Sequence, residues 1–268
     1  MTEKLPGVKH IIAMSSGKGG VGKSTASVNL ALALSQLGFK TGLSDVDIFG
    51  PSVPVMLGLQ NAERPLMTAD QRLVPLEKYG LKIMSMALLV DAESPAIFRG
   101  PMVTKFLQQF ILGVAWGELD YLVLDLPPGT GDTQLSLAQS IPLSGAIILT
   151  TPQDVSLNVA RRGLRMFEKV RVPILGIIEN MSGWTCEKCG HHSDIFGAGG
   201  GRQMSEELHV PYLGSIPIDP QIVSGGDRGE PIVLSLPNSE VSKAYVAIAN
   251  QLIDQLSETS TLSQLGAF

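Results

Sequence analysis

Along much of this chain the apolar residues come in short unbroken runs. His10-Ile11-Ile12-Ala13-Met14-Ser15-Ser16, Lys40 to Ser44, Tyr121 to Asp125, Ala146 to Thr151 and Ile174 to Glu179 are the clearest. Runs of this length, rich in Ile, Val and Leu, predict strands covered on both faces. Longer stretches between them carry helical spacing: Ser24 to Leu37, Met102 to Ala115, Ser156 to Val170 and the amphipathic Glu240 to Leu256. Arg72 to Leu76 and Leu81 to Met86 read as two short strands about a turn at Glu77-Lys78-Tyr79-Gly80, and Tyr212 to Ile216 as the last strand. Strands alternating with helices predict an α/β fold, a mostly parallel β-sheet with helices on both faces. Residues 1–256 are expected to form one domain; from Ser257 the chain turns to Ser, Thr, Gln and Gly with scattered leucines, which predicts a flexible tail over 257–268.

The first strand and the first helix are joined by Gly17-Lys18-Gly19-Gly20-Val21-Gly22-Lys23-Ser24, which fits the phosphate-loop pattern G-x-x-x-x-G-K-[ST] in the strand-to-helix context that pattern requires. Glycines let the backbone aim several N–H groups at one point, and the helix N-terminus adds partial positive charge there. Phosphate is the natural occupant. Lys23 is expected against the β- and γ-phosphates of ATP, Ser24 on Mg²⁺, and Thr25 near the α-phosphate.

Ligands of open α/β sheets sit at the carboxyl ends of strands. That rule makes Asp47 a candidate to orient or deprotonate the attacking water and to join the magnesium site, with Asp45 nearer the metal, and it gives Asp125, ending its strand, the Walker B role on Mg²⁺. The Pro- and Gly-rich stretch Ile48 to Pro54 reads as a loop over the site that senses the γ-phosphate, and Leu126 to Asp132 as a second switch in which Gly129 offers a backbone N–H to that phosphate. Asn180, just past a strand end, has an amide suited to adenine, and Pro217 and Asp219 could close over the base. Arg161, Arg162, Arg165 and Lys169 read as a solvated helix face.

Cys186 and Cys189 are the chain's two cysteines, in a single C-x-x-C followed by Gly190-His191-His192. Two thiolates at this spacing can meet one soft metal, but a tetrahedral site needs four ligands. Three solutions are open on chemistry alone: a histidine completes a zinc site, the pair is a redox dithiol, or two chains give two thiolates each.

The second lysine of the loop, Lys18, resembles the deviant Walker A ATPases, the group of MinD, ParA and the nitrogenase iron protein. Gly-Lys-Gly-Gly-Val-Gly-Lys-Ser, Asp45-Val-Asp-Ile-Phe-Gly-Pro-Ser, Asp125-Leu-Pro-Pro-Gly-Thr-Gly-Asp, Glu179-Asn-Met-Ser, the cysteine pair and Asp194-Ile-Phe-Gly-Ala-Gly-Gly-Gly come in the order of the Mrp/ApbC family, from about Gly7 to Ile253. The resemblance implies a P-loop NTPase fold with slow ATP hydrolysis, in which Lys18 reaches the partner's nucleotide across a homodimer. It implies a [4Fe-4S] cluster bound by Cys186 and Cys189 of two subunits, received from a scaffold and delivered to apo-proteins, with zinc able to take the same thiolates in aerobic samples. A positioning ATPase of the MinD or ParA kind is the alternative, although no Lys or Arg follows Lys243 to make a basic membrane helix. An electron donor like the nitrogenase iron protein is another.

Twenty-five acidic against twenty basic residues, a net charge of −5 and a pI near 5.4 argue against a nucleic-acid or anionic-membrane partner. A short polar N-terminus, Met1 to Lys9, and the lack of a membrane-length apolar stretch lead to the expectation of a cytoplasmic protein.

Overall fold

The computed structural model describes residues 5–47, 50, 52–89, 100–129 and 131–265. Its strands are β1 Val8–Ser16, β2 Thr41–Asp45, β3 Leu76–Lys78, β4 Leu81–Ser85, β5 Leu119–Asp125, β6 Gly145–Thr150, β7 Ile174–Thr185, β8 His192–Ser193 and β9 Tyr212–Ile218. Its helices are α1 Lys23–Gln36, α2 Val53–Met56, α3 Gly100–Leu112, α4 Asp132–Ser140, α5 Asp154–Lys169, α6 Gly200–Leu208, α7 Pro220–Arg228, α8 Ile232–Ser235 and α9 Glu240–Leu265. The strands form one sheet in the order β3-β4-β2-β5-β1-β6-β7-β8, with β9 also paired to β7. Only β3 and β8 run antiparallel to their neighbours.

Side-chain alternation divides the core in two. Ile12 and Met14 of β1, Tyr121 and Val123 of β5, and Ile147 and Leu149 of β6 pack on one face with α1, α8 and α9. Ile11 and Ala13, Leu122 and Leu124, and Ala146 and Ile148 pack on the other with α3 to α6. Both faces are therefore apolar, which is why the strands read as continuous runs. Helix α1 is buried almost all round, from Ala26 to Leu34, so its sequence is apolar on every side. The face of α5 carrying Arg162, Arg165 and Lys169 is exposed, as its charge pattern predicts.

Several boundaries differ from the sequence reading. The hairpin turn is the pair Tyr79-Gly80, both with positive φ (53° and 77°), so β3 begins at Leu76 where the expected strand ends. Two left-handed residues suit a tight hairpin because their twist matches that of the strands. Arg72 to Val74 instead belong to a small loop in which Leu73 bridges Met67 and Val114. Val53 and Pro54 open a short helix, since a proline in the first turn gives up no helical hydrogen bond. Helix α3 runs Gly100–Leu112 and stops before Gly113. Strand β7 continues six residues beyond Glu179. Helix α9 extends to Leu265, past the expected start of the tail, and no Gly or Pro interrupts the sequence there before Gly266. Among the described residues no helix is long and apolar enough to cross a membrane.

Candidate functional site

The parallel register brings the carboxyl ends of β1, β2 and β5 together, with Met14 beside Asp125 and Asp125 beside Asp45. The phosphate loop crosses this edge between β1 and α1. Gly20 and Gly22 take positive φ, 80° and 85°, a conformation that a side chain disfavours. A Cβ at Gly22 would also stand 2.3 Å from Nδ2 of Asn180, and one at Gly17 would strike the backbone of Val159. The glycines are thus required by packing as well as by the turn.

Inside the loop lies a cavity of about 250 Å³. Lys18, Gly19, Gly20, Val21, Ser24 and Thr25 line it from the loop, and Asp47 and Pro128 from the opposite side. Lys23 is buried, and its Nζ donates to Oδ1 of Asp125 at 2.7 Å. Ser27 donates to the same oxygen at 2.7 Å. Oδ2 of Asp125 is buried with no hydrogen-bond partner among the described residues. A carboxylate oxygen left bare in this way, beside a second buried carboxylate at the edge that the phosphate loop crosses, fits a divalent cation. Asp45 is wholly buried, and burial first and the charge of Asp125 second push its pKa up to about 7.

Four of the expected site residues bond within the chain itself. Lys23 is paired with Asp125, as just described. Gly129 donates its N–H to the carbonyl of Ser16 at 2.9 Å, which ties the second switch to the end of β1. Asn180 spends Nδ2 on the carbonyl of Val21 at 2.8 Å, bracing the phosphate loop from behind. Asp219 caps α7, accepting from Gln221 N–H at 2.8 Å, and neither it nor Pro217 lines the loop cavity. An adjoining cavity of about 450 Å³ lies between α1, α2 and α7 and shares Thr25 with it.

Asp45 accepts from Ser85 Oγ at 2.9 Å and from the backbone N–H groups of Asp47 and Val53, so it ties both ends of the first switch segment. Ile48, Phe49 and Pro51 of that segment, and Thr130 of the second, lie outside the described residues. Sequence reasoning missed Ser27 and Gln134. Ser27 stands four residues after Lys23, on the same helical face, which was a usable signal. Gln134 accepts from Ser15 Oγ and donates to Pro127 O, a long-range tie with no local signature.

The cysteines sit in a different setting. Strand β7 runs to Thr185, turns through Cys186-Glu187-Lys188-Cys189-Gly190 and returns as β8. Cys186 N–H donates to His191 O, and Gly190 N–H to Cys186 O, closing a tight knuckle. Cys186 is half-buried and Cys189 exposed. Backbone N–H groups of Cys189 and Lys188 point at the Cys186 sulfur and hold its pKa below the ordinary thiol value. The ring of His192 is engaged by Asp194 at 3.0 Å and Thr185 at 3.3 Å. Among the described residues no third Cys, His, Asp or Glu completes a metal-binding group.

Sheet order, loop and paired carboxylates define a P-loop NTPase. Solved structures agree. A nucleotide-binding protein from Archaeoglobus fulgidus in complex with ADP superposes with a TM-score of 0.75 at 35% identity, over 85% of this chain and 89% of that one. The septum site-determining protein MinD from Pyrococcus horikoshii, complexed with Mg-ADP, gives 0.72 at 25% identity, over 93% and 97%. Among relatives, the iron-sulfur cluster carrier protein of Aquifex aeolicus is 52% identical over 93% of this chain and 69% of its own length. That of Escherichia coli K12 is 50% identical, over 94% and 68%. The iron-sulfur protein required for NADH dehydrogenase, mitochondrial, of Arabidopsis thaliana is 50% identical, over 95% and 81%. The model of the ParA family, described as NUBPL iron-transfer P-loop NTPase, matches residues 7–253, and the chain belongs to this family.

Proposed function

We propose that the chain is an ATP-binding, slowly hydrolysing carrier that holds a [4Fe-4S] cluster between two copies of itself, accepts it from a scaffold and delivers it to apo-proteins. The observation that carries this reading is the knuckle: two thiols, one of them with a lowered pKa, and no further ligand nearby among the described residues. Four thiolates then require two chains. Exposed Val155 and Val223 stand in helices that follow the carboxyl ends of β6 and β9, on the same edge of the sheet as the phosphate loop, and exposed Ile195 and Phe196 follow β8, the return strand of the cysteine hairpin. An apolar rim there supports self-association through that edge.

In the nucleotide site, Ser24, Asp47 and Asp125 would hold Mg²⁺, which neutralises phosphate charge when bound. Lys23, now paired with Asp125, would serve the β- and γ-phosphates. Lys18, which lines the cavity, would serve the partner's nucleotide. Asp47, on the wall opposite the loop, would orient the attacking water. Asn180 would act on the nucleotide through the loop it braces.

The test is transfer. Iron-loaded protein mixed anaerobically with an apo [4Fe-4S] acceptor should restore the acceptor's cluster absorbance, while protein altered by Cys189→Ser should not. Reduction of an acceptor without loss of iron from the donor would favour an electron donor instead.

A further inference from the structure

The two sites are joined by adjacent residues of one strand. Asn180 braces the phosphate loop at Val21, as described above. Glu179, the residue before it, is fully buried and points to the opposite face of β7, as strand neighbours do. Its Oε1 accepts from Ser182 Oγ at 2.7 Å and from Gly199 N–H at 3.1 Å, and its Oε2 accepts from Gly201 N–H. Ser182 lies on the arm leading to Cys186. Gly199 and Gly201 lie where the returning arm enters α6. One carboxylate therefore clamps both arms of the cysteine hairpin at their base.

Between the clamp and the cysteines the strand is bent. Met181 has φ 58° and Gly183 φ 80°, and the pairing with β9 shifts register between Asn180 and Trp184. A methionine held in the left-handed region stores backbone strain. Gly201 approaches so closely that a Cβ there would stand 3.0 Å from Cβ of Glu179. The iron-carrying role proposed above does not explain this clamp, since a hairpin needs no buried carboxylate to present two thiols.

We propose that Glu179 is a positioning residue that makes the cysteine hairpin respond to the phosphate loop. Seating phosphates in the loop acts on the Asn180–Val21 bond. The bent segment Met181–Gly183 passes that change to the hairpin, and the Glu179 clamp makes both arms move together. The inference rests on the carrier reading for its purpose, but its test does not need a cluster.

The test follows alkylation of Cys186 and Cys189 by iodoacetamide in the metal-free full chain, with and without Mg-ADP. In the unaltered protein Mg-ADP should change the rate by about fivefold or more, a typical coupling between linked sites. In Glu179→Gln, where an amide N–H₂ would face the Gly201 N–H, that response should vanish while the Kd for Mg-ADP stays within about twofold, because Glu179 touches nothing in the loop cavity. A merely structural clamp would leave the nucleotide response intact in the variant, and that result overturns the proposal. So does a thiol rate that ignores Mg-ADP in the unaltered chain. Should Glu179→Gln fail to fold, Ser182→Ala, which frees only the outgoing arm, carries the same comparison and should at least halve the response. The carrier reading fails separately, if reconstitution puts no iron on the cysteines.

Discussion

The phosphate loop and the cysteine knuckle use opposite physical settings for charged groups. The loop keeps Lys23, Asp125 and Asp45 buried at the centre of a sheet covered on both faces, where removing one partner leaves an uncompensated charge. The knuckle holds its thiols on the turn between β7 and β8, at the end of the sheet order, in contact with solvent and supported by backbone N–H groups. A site built into the core holds its charged groups in fixed positions, which suits a ligand bound in one geometry. A site on an exposed hairpin can be filled and emptied with little change in the fold, which suits cargo.

That contrast is broken most directly at Lys23. Lys23→Ala should abolish ATP binding and lower stability by about 3 to 5 kcal/mol, because Asp125 is left buried beside Asp45 without its cation. Chemical denaturation and a nucleotide titration check both. In contrast, Cys186→Ser and Cys189→Ser should abolish cluster binding while shifting the denaturation midpoint hardly at all, since neither side chain is in the core.

The same contrast explains what the sequence disclosed. The buried runs of β1, β5 and β6, the loop glycines and the acids at strand ends were legible because each follows a local rule of period or spacing. The family resemblance carried the cluster shared by the cysteine pairs of two chains, which chemistry alone left open. Long-range partners were not legible: nothing near Gly129 says that its N–H will meet Ser16, and nothing near Asn180 says that its amide will meet Val21. Glu179 was the nearest miss, a charged residue ending the apolar run Ile177-Ile178. The first strand of the hairpin was misplaced because Arg72 to Leu76 alternates suitably, whereas the turn residues Tyr79 and Gly80 fix the register.

A milder perturbation uses pH. Burial raises the pKa of Asp45 to about 7, so between about pH 4 and pH 7 the folded chain holds a proton that the unfolded chain has lost. Stability from this group is therefore full at low pH, falls as pH rises towards 7 and stays reduced above it. Without divalent cations, the urea midpoint should be higher at pH 5.5 than at pH 8 by this contribution, and Asp45→Asn should remove it. The smallest effect belongs to the knuckle. In Cys189→Ser, the pH midpoint for alkylation of Cys186 should lie below the ordinary thiol value of 9.0 and return to it in denaturant, which unmakes the turn that aims the N–H groups.

The central claim is that cargo is held between two chains. Anaerobic reconstitution with iron and sulfide, followed by iron counting and light scattering on the same fraction, tests it in one step. The account predicts about four irons per two chains, in a dimer, lost in Cys186→Ser. Iron bound by a monomer, or a dimer whose iron survives that substitution, would contradict it.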